Sequence, residues 1–320
     1  MIALVFVHIG PALPPWLPSA VRQARRFHDG PLLVAADAAA LADAPADFGA
    51  LDVRAVPLED LPRTAAHRHF RAINPLDTTF RDGFWTHTTE RFFYLEALMR
   101  AESLGPVLHL EGDVLLYRAP EPLAPVLAAH YPGLGVPFDH DTQAVAGAFY
   151  AAGPEALKPF NTFVARVLER PGMALANDML LLATYGRRYG PRALEALPTI
   201  GDDYPDPLVN RKGEAAEAPG RFSRHARAFG GLFDGNATGQ YLTGVDPRNT
   251  DGRDTRGFIN ETAAFRADRY AFRWPVDAHG RRYPEAVGPT GDVWPLITLH
   301  VHSKALAPHL SCPALDAPAG

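Results

Sequence analysis

Two carboxylic acids separated by a single residue follow an apolar segment in the first half of the chain. The sequence reads Val-Leu-His-Leu over 107–110, then Glu111-Gly112-Asp113, and is apolar again over 114–116. Because side chains alternate along a strand, this spacing predicts that both acids lie on one face at the end of a buried strand. Ionised carboxylates are costly to bury unpaired, and two oxygen ligands suit a hard divalent cation that holds a substrate phosphate.

Two histidines and a lysine occupy alternate positions near the end of the sequence. The apolar pattern over 296–304 predicts a strand whose even-numbered face carries His300, His302 and Lys304. An imidazole can complete the coordination of a manganese-type ion beside carboxylates, and a lysine is a point charge suited to a diphosphate. We therefore expect this strand to meet the acidic pair in space.

Each of these groups also has an explanation without a ligand. Glu111 and Asp113 could be solvated in a loop or paired with Arg118, and His300 and His302 could be ordinary polar residues.

Further polar residues stand out against apolar or glycine-rich surroundings. Asn177-Asp178 lies in an otherwise apolar helix expected over 175–189, where the pair could be an N-cap, or could contact the acceptor or place a carboxylate near the reacting carbon. Asp234 and Gln240 lie in a glycine-dense segment, where a turn is the alternative. Arg91, on an aromatic helix, is a candidate to reach the cation site or a phosphate.

Composition excludes several classes of protein. The 320 residues carry a net charge of −5, so there is no broad basic excess for general binding of nucleic acid. A single cysteine, Cys312, excludes an internal disulfide framework and a cysteine-based zinc site, and fits a reducing cytoplasm. No apolar stretch approaches the ~20 residues of a membrane span. The first residues predict a strand rather than a signal peptide.

The order of the elements predicts an α/β protein. Apolar strands are expected over 2–9, 32–36 and 52–56, with helices between them, and this alternation is typical of a parallel sheet with right-handed crossovers. Ligands of such sheets bind at the carboxyl ends of the strands, so His8 and Asp37 are expected at the same edge as the acidic pair. A long buried helix is expected over 88–100, and a short antiparallel region over 265–283.

Three familiar motifs are absent from the sequence. There is no P-loop, no Gly-x-Gly-x-x-Gly after the first strand and no Gly-x-Ser-x-Gly elbow. A P-loop nucleoside triphosphatase, a dinucleotide-binding fold with the usual fingerprint and an α/β-hydrolase are therefore disfavoured.

With these residues in place, the chain resembles a glycosyltransferase of the GT-A type. In that family an apolar strand ends in an Asp-x-Asp motif that binds a divalent metal and the diphosphate of a sugar nucleotide. The segment 110–114 matches it, with Glu111 in place of the first Asp. His300 or His302 with Lys304 resembles the carboxy-terminal histidine and lysine of GT8-like retaining members. The segment 233–241 is similar to a signature of uncharacterised bacterial glycosyltransferase-like proteins.

The resemblance implies a fold and a division of the chain. The expected fold is a GT-A-like, Rossmann-like, mostly parallel sheet flanked by helices, with a smaller mixed β part at the carboxy terminus. Residues 1–118 would bind the nucleotide sugar, 119–306 would form the acceptor-binding half of the same domain, and 307–320 would be a poorly ordered tail.

The resemblance also implies an activity and its ligands. A hexosyltransferase-type enzyme would move a sugar from a UDP- or GDP-sugar to a hydroxyl of a carbohydrate or lipid-linked acceptor, with Mn²⁺ or Mg²⁺. Its setting would be bacterial surface polysaccharide or glycoconjugate synthesis in the cytoplasm or at the inner face of the membrane, with at most peripheral membrane association.

The resemblance assigns roles to individual residues as well. Asp113, Glu111, His300 and His302 are the implied metal ligands. The implied nucleotide-sugar contacts are His8, Asp37, Arg91, Glu111, Asp113, Gln240 and Lys304. Asp178 and Asp234 are the candidate bases if the reaction inverts the anomeric centre; a retaining reaction need not use a base, and the sequence leaves both open. The alternatives are a nucleotidyltransferase acting on a sugar phosphate and a non-catalytic nucleotide-sugar-binding protein.

Overall fold

A computed structural model describes residues 1–204, 208–263 and 265–312. Within those ranges the strands are β1 (Ala3–His8), β2 (Leu32–Ala36), β3 (Val53–Pro57), β4 (Val107–Leu110), β5 (Val114–Leu116), β6 (Leu134–His140), β7 (Gln143–Ala144), β8 (Ala148–Ala151), β9 (Leu194–Leu197), β10 (Ala271–Arg273), β11 (Glu285–Val287), β12 (Val293–Pro295) and β13 (Thr298–His300). The helices are α1 (Leu17–Arg25), α2 (Ala38–Ala42), α3 (Asp47–Ala50), α4 (Ala65–Ile73), α5 (Phe84–Ala101), α6 (Ala124–His130), α7 (Pro154–Leu168), α8 (Asp178–Tyr189), α9 (Ala226–Phe229) and α10 (Ala237–Thr243).

One mixed sheet forms the centre of the molecule. Its strand order is β3-β2-β1-β4-β8-β6-β7, and β9 pairs with β6. The pairs β3-β2, β2-β1 and β1-β4 are parallel, whereas β8 is antiparallel to both β4 and β6. The sequence of alternating strands and helices therefore gives the expected α/β fold class, with a parallel amino-terminal half.

The apolar segments of the sequence correspond to buried strands and to the buried part of a long helix. All five residues of β2 and all four of β4 are buried, since helices cover both faces of a parallel sheet. The long helix α5 has a buried middle that includes the charged residues Glu90, Arg91 and Glu96. Burying an arginine is costly unless acids pair with it, so Arg91 indicates a partner inside the molecule.

Two smaller sheets complete the fold. Strands β10, β11 and β12 form an antiparallel sheet, and β13 pairs antiparallel with β5. This agrees with the smaller β part expected near the carboxy terminus. The central sheet crosses the predicted boundary at residue 118, because β4 pairs with β8, and the division of the chain stays a prediction.

Several elements have different bounds in the structure from those that the sequence predicts. The strand expected over 296–304 ends at His300, and a turn follows, in which Lys304 has a φ of 63°. The polar and basic segment 60–85, whose composition predicts a loop with a little helix, contains the nine-residue helix α4, capped by the side chain of Thr64. Leu310 is buried and His309 accepts a hydrogen bond from Tyr117, whereas residues 313–320 of the predicted tail lie outside the described residues.

Among the described residues, no helix has both the length and the apolar character needed to cross a membrane.

Candidate functional site

The pairing of β5 with β13 brings the two ends of the candidate site together. Val114 lies opposite His300 in this register, and the backbone N–H of Val301 donates to the carbonyl of Asp113 at 2.8 Å. Glu111 to Asp113 form the turn between β4 and β5, so their side chains are placed by a turn rather than by strand alternation. The predicted meeting of the acidic pair with His300 and Lys304 is thus present, 187 positions apart for Asp113 and His300.

Two acids, an imidazole and an ammonium group meet in this cluster. Nε2 of His300 lies 3.1 Å from Oδ2 of Asp113 and 3.5 Å from Oε2 of Glu111. The Lys304 ammonium donates to the same Oδ2 of Asp113. Burial opposes ionisation of Asp113, but the charges of His300 and Lys304 outweigh it and hold the pKa of Asp113 well below its ordinary range. Burial also lowers the pKa of His300, but Asp113 and Glu111 raise it above its ordinary value.

Arg91 links this cluster to a third acid. Its guanidinium donates from Nη1 to Oε1 of Glu111 and from Nη2 to Oδ2 of Asp178, the latter at 2.6 Å. Burial raises the pKa of Glu111, but Arg91 and His300 outweigh that effect and hold it below its ordinary value. Burial raises the pKa of Asp178 to about 6 in spite of Arg91. Arg91 therefore fixes one oxygen of Glu111 and leaves the other directed at His300.

The donor set fits a hard divalent ion. One oxygen each from Glu111 and Asp113 and one nitrogen of His300 lie within 4.8 Å of one another. Neighbouring ligands of an octahedral ion bound at about 2.1 Å are roughly 3 Å apart, close to the 3.1 and 3.5 Å separations from Nε2. Carboxylates with imidazole suit Mn²⁺ or Mg²⁺ better than a soft metal.

His302 lies beside the cluster rather than in it. Its ring stacks on that of His300 with centroids 3.9 Å apart, and its Nε2 is buried without a hydrogen-bond partner among the described residues. Burial and the neighbouring His300 hold the pKa of His302 well below its ordinary value, so the ring is neutral. Of the two predicted histidines, the geometry favours His300 as the ligand.

Asn177 and Asp178 could both have been helix-capping residues, but only Asn177 is one. The side-chain oxygen of Asn177 accepts the backbone N–H of Leu180 at 2.9 Å and caps α8. Asp178, the first residue of that helix, instead turns inward to Arg91. The acid beside the cluster and the helix cap are therefore adjacent residues with separate structural tasks. The suggested partner Arg118 donates to the carbonyl of Gly230, and not to the acidic pair.

Asp234 supports the strand that carries His300. Its Oδ2 accepts the backbone N–H of His300 at 2.8 Å, and its Oδ1 accepts that of Asn236 at 2.9 Å. Burial raises its pKa, although these backbone donors oppose the rise. Helix α10 packs closely here, since a Cβ on Gly239 would lie 2.1 Å from the carbonyl oxygen of His300. Asp234 and Gly239 together set the position of His300.

His8 and Asp37 lie at the carboxyl edge of the parallel strands, as predicted. Nε2 of His8 contacts the carbonyl of Ala12 at 2.8 Å, and Oδ2 of Asp37 accepts the backbone N–H of Gly10 at 3.1 Å. Burial lowers the pKa of His8 and raises that of Asp37. The chain between β1 and α1 then leads to Trp16, whose ring centroid is 5.8 Å from Nζ of Lys304. This rim is therefore continuous with the charged cluster.

Sequence reasoning missed a second pair of acids after an apolar strand. Asp139 and Asp141, at the end of β6, are a literal Asp-x-Asp, and both are buried. Oδ2 of Asp139 accepts from the side-chain amide of Asn260 at 3.0 Å, and Oδ2 of Asp141 accepts the backbone N–H of Glu217 at 2.8 Å. Burial raises the pKa of Asp139 to about 7. The same strand-end pattern that selected Glu111 and Asp113 was present here.

Gln240 is not a member of the charged cluster and lies in the wall of a neighbouring cavity of about 530 Å³. The rest of that wall comes from residues 245–260, a segment for which no function is predicted from the sequence.

No family profile and no curated protein sequence matches the chain. Similar solved structures include mouse xyloside xylosyltransferase 1 in its apo form, with 11% identity over 66% of this chain and 87% of that one and a TM-score of 0.42. The galactosyltransferase LgtC with donor and acceptor sugar analogues has 15% identity over 63% and 74%, with a TM-score of 0.39. A putative glucose-1-phosphate thymidylyltransferase from Bacillus anthracis has 10% identity over 61% and 86%, with a TM-score of 0.37. Two of these three structures are sugar transferases, and all three TM-scores are below 0.5.

Proposed function

We propose that this protein is a divalent-metal-dependent glycosyltransferase that transfers a sugar from a nucleoside-diphosphate sugar to an acceptor hydroxyl. The observation that carries the proposal is the convergence of Glu111, Asp113 and His300 with the Lys304 ammonium at the end of buried strands. This arrangement offers ligands for a cation and a separate positive charge for a diphosphate. A purely structural ion-pair cluster would not need an imidazole and two acids at ligand spacing.

Glu111, Asp113 and His300 would hold Mn²⁺ or Mg²⁺, and the ion when bound supplies Lewis-acid stabilisation of the leaving diphosphate. Lys304, whose ammonium group bonds Asp113, would pair with a phosphate oxygen. His8 and Asp37, at the carboxyl edge of β1 and β2, are proposed to contact the nucleoside.

The transfer itself breaks the bond between the anomeric carbon and the diphosphate oxygen and forms a bond to the acceptor oxygen. The acceptor proton then needs a base if the reaction inverts. Asp178 suits that task, since its pKa of about 6 lies near neutral pH. Asp234 is assigned to positioning, because its two oxygens already accept the backbone N–H groups of His300 and Asn236.

The test is a thermal-shift series with UDP, GDP and their sugar conjugates, each with and without Mn²⁺. We expect stabilisation by one nucleoside diphosphate that requires Mn²⁺, and its loss in Asp113→Asn. The matched control is Asp43→Asn, since Asp43 is an exposed acid that belongs to neither group of possible metal ligands among the described residues. Equal stabilisation of both variants would reject the metal role of Asp113.

Product analysis distinguishes the alternatives. Slow hydrolysis of a sugar nucleotide in the presence of Mn²⁺, without pyrophosphate, indicates a glycosyltransferase. Pyrophosphate release from a nucleoside triphosphate and a sugar phosphate would instead identify a nucleotidyltransferase. Binding without turnover of any donor would indicate a nucleotide-sugar-binding protein. A carbohydrate or lipid-linked acceptor would fit a role in bacterial surface polysaccharide or glycoconjugate synthesis.

A further inference from the structure

A cavity of about 530 Å³, lined by both polar and apolar side chains, lies beside the candidate site. Its wall includes Gln240, Asn249, Arg253, Phe258 and Asn260. The volume is within the range of small-molecule sites, roughly 300–1,000 Å³. Among the described residues, the lining contains amides, hydroxyls and one aromatic ring, and Arg253 is its one charged member.

The wall is a folded segment held against α10. The backbone N–H of Gly257 donates to the carbonyl of Tyr241 at 2.7 Å, and that of Val245 donates to Oγ1 of Thr255 at 2.9 Å. Asn260 donates at 3.0 Å to Asp139. These bonds hold three of the lining residues, Val245, Thr255 and Asn260, or the chain next to them, in place.

The cavity adjoins the charged cluster through α10. Gly239 packs against the carbonyl of His300, and the next residue, Gln240, lines the cavity. Asn249, another lining residue, accepts a hydrogen bond from Arg81, which also lies 3.6 Å from Asp246. A molecule in the cavity would therefore sit next to the site proposed for the sugar donor.

Two lining residues have unused hydrogen-bonding or charge capacity. Oε1 of Gln240 is buried and has no hydrogen-bond partner among the described residues. An unpaired buried acceptor costs free energy, so a ligand that donates from a hydroxyl group would be stabilised here. Arg253 donates to the carbonyl of Thr250 at 3.2 Å but forms no ion pair with a described residue. Its neighbours Arg248 and Arg256 differ, since each is paired at 2.6 Å with the acid two positions earlier.

We propose that this cavity is the acceptor subsite and that it takes an acidic saccharide, whose carboxylate or phosphate pairs with Arg253. A guanidinium binds either anion through two parallel N–H donors. The Gln240 oxygen accepts a sugar hydroxyl, and Phe258, 42% exposed, offers an apolar face to the ring. This inference rests on the proposed glycosyltransferase function, and it moves Gln240 from the nucleotide to the acceptor.

The test compares three probes by equilibrium titration followed by nuclear magnetic resonance: glucuronic acid, glucose 6-phosphate and neutral glucose. We expect at least one acidic probe to bind about tenfold more tightly than glucose. Arg253→Gln should remove that preference and leave glucose binding unchanged. Arg256→Gln is the matched control, because Arg256 is a nearby exposed arginine that does not line the cavity.

The outcomes separate this inference from the proposed function. Preference for glucuronic acid alone identifies a carboxylate and preference for glucose 6-phosphate alone a phosphate. Equal affinity for all three probes, or equal losses in the two variants, overturns the acidic-saccharide proposal. Competition between the acidic probe and UDP or GDP would overturn the assignment to the acceptor. Mn²⁺-dependent binding of a nucleoside diphosphate, measured on the same protein, is unaffected by these outcomes and tests the function independently.

Discussion

The guanidinium of Arg91 lies 2.6 Å from Oδ2 of Asp178, and both side chains are less than a tenth exposed. The same guanidinium also bonds Glu111. One buried cation therefore compensates two acids that come from different elements, the β4–β5 turn and the start of α8. Removing it would leave two carboxylates poorly solvated beside each other.

Replacing Arg91 by Met should destabilise the protein by about 3–5 kcal/mol, because it leaves buried charges unpaired. Urea unfolding at neutral pH measures the loss. Arg91→Met combined with Asp178→Asn should recover part of it, since one of the orphaned carboxylates is then neutral. A double variant no more stable than Arg91→Met would show that Asp178 is solvated in another way.

Mn²⁺ affinity should rise with pH. Asp113 and Glu111 outweigh the effect of burial and raise the pKa of His300, so its ring keeps a proton to higher pH than an ordinary histidine. A cation must displace that proton, which gives up to about a tenfold gain per pH unit below the raised pKa and a plateau above it. Calorimetric titration with Mn²⁺ between pH 5.5 and 8 measures the profile. His300→Gln should bind more weakly with a flatter profile; an unchanged profile would exclude His300 as the titrating ligand.

Asp139 should make the fold less stable as pH rises. Burial raises its pKa from 3.8 to about 7, so the folded state holds a proton that the unfolded chain releases. The stability this proton contributes is complete below pH 3.8 and is lost as pH rises through about 7, with an upper bound of about 4 kcal/mol. Asp139→Asn should therefore gain stability at pH 8 and little at pH 4. Denaturant titrations at the two pH values test this, and a gain of equal size at both would argue against titration of Asp139.

Gly239→Ala should damage the candidate site although it leaves the proposed cation ligands themselves unchanged. The new Cβ would lie 2.1 Å from the carbonyl of His300 and 2.5 Å from Oδ2 of Asp234, so α10 must move away from β13. Overpacking of this kind costs about 1–3 kcal/mol, and Mn²⁺ binding should weaken with it. The control is Gly49→Ala, where a Cβ would meet no heavy atom of the described residues within 4 Å beyond its own helix backbone and its chain neighbours. Similar unfolding curves and Mn²⁺ isotherms for the two variants would contradict the close approach.

The sequence predicted the fold class and most of the strands of the parallel half because apolar continuity is a local property. The match for β2 is complete, since every residue from Leu32 to Ala36 is buried and the pattern has sharp ends. The predicted proximity of Lys304 to the acidic pair is present in the structure, but strand alternation, from which it was predicted, is not its cause. Lys304 reaches Asp113 through a turn with a positive φ, and not through strand alternation, and turn geometry of this kind depends on contacts distant in sequence.

The choice between two acidic motifs could not be made locally. Asp139-His140-Asp141 fits the Asp-x-Asp pattern better than Glu111-Gly112-Asp113, and both follow apolar strands. The two motifs differ in the residues that contact their acids. Asn260 bonds Asp139, whereas His300 and Lys304 converge on Asp113 because β13 pairs with β5. Pairing of strands that distant is set by the whole fold.

That same strand pair has a consequence for the order in which the molecule assembles. Asp113 and His300 are 187 positions apart, so closing this loop costs chain entropy before the contact returns any stability. Contacts of such separation form slowly and late. A cation therefore has no ligand set to bind until both halves of the chain have folded, and it cannot template the amino-terminal half. Its binding would stabilise only the fully folded protein. During refolding, the protein should therefore gain Mn²⁺ affinity only in the last kinetic phase.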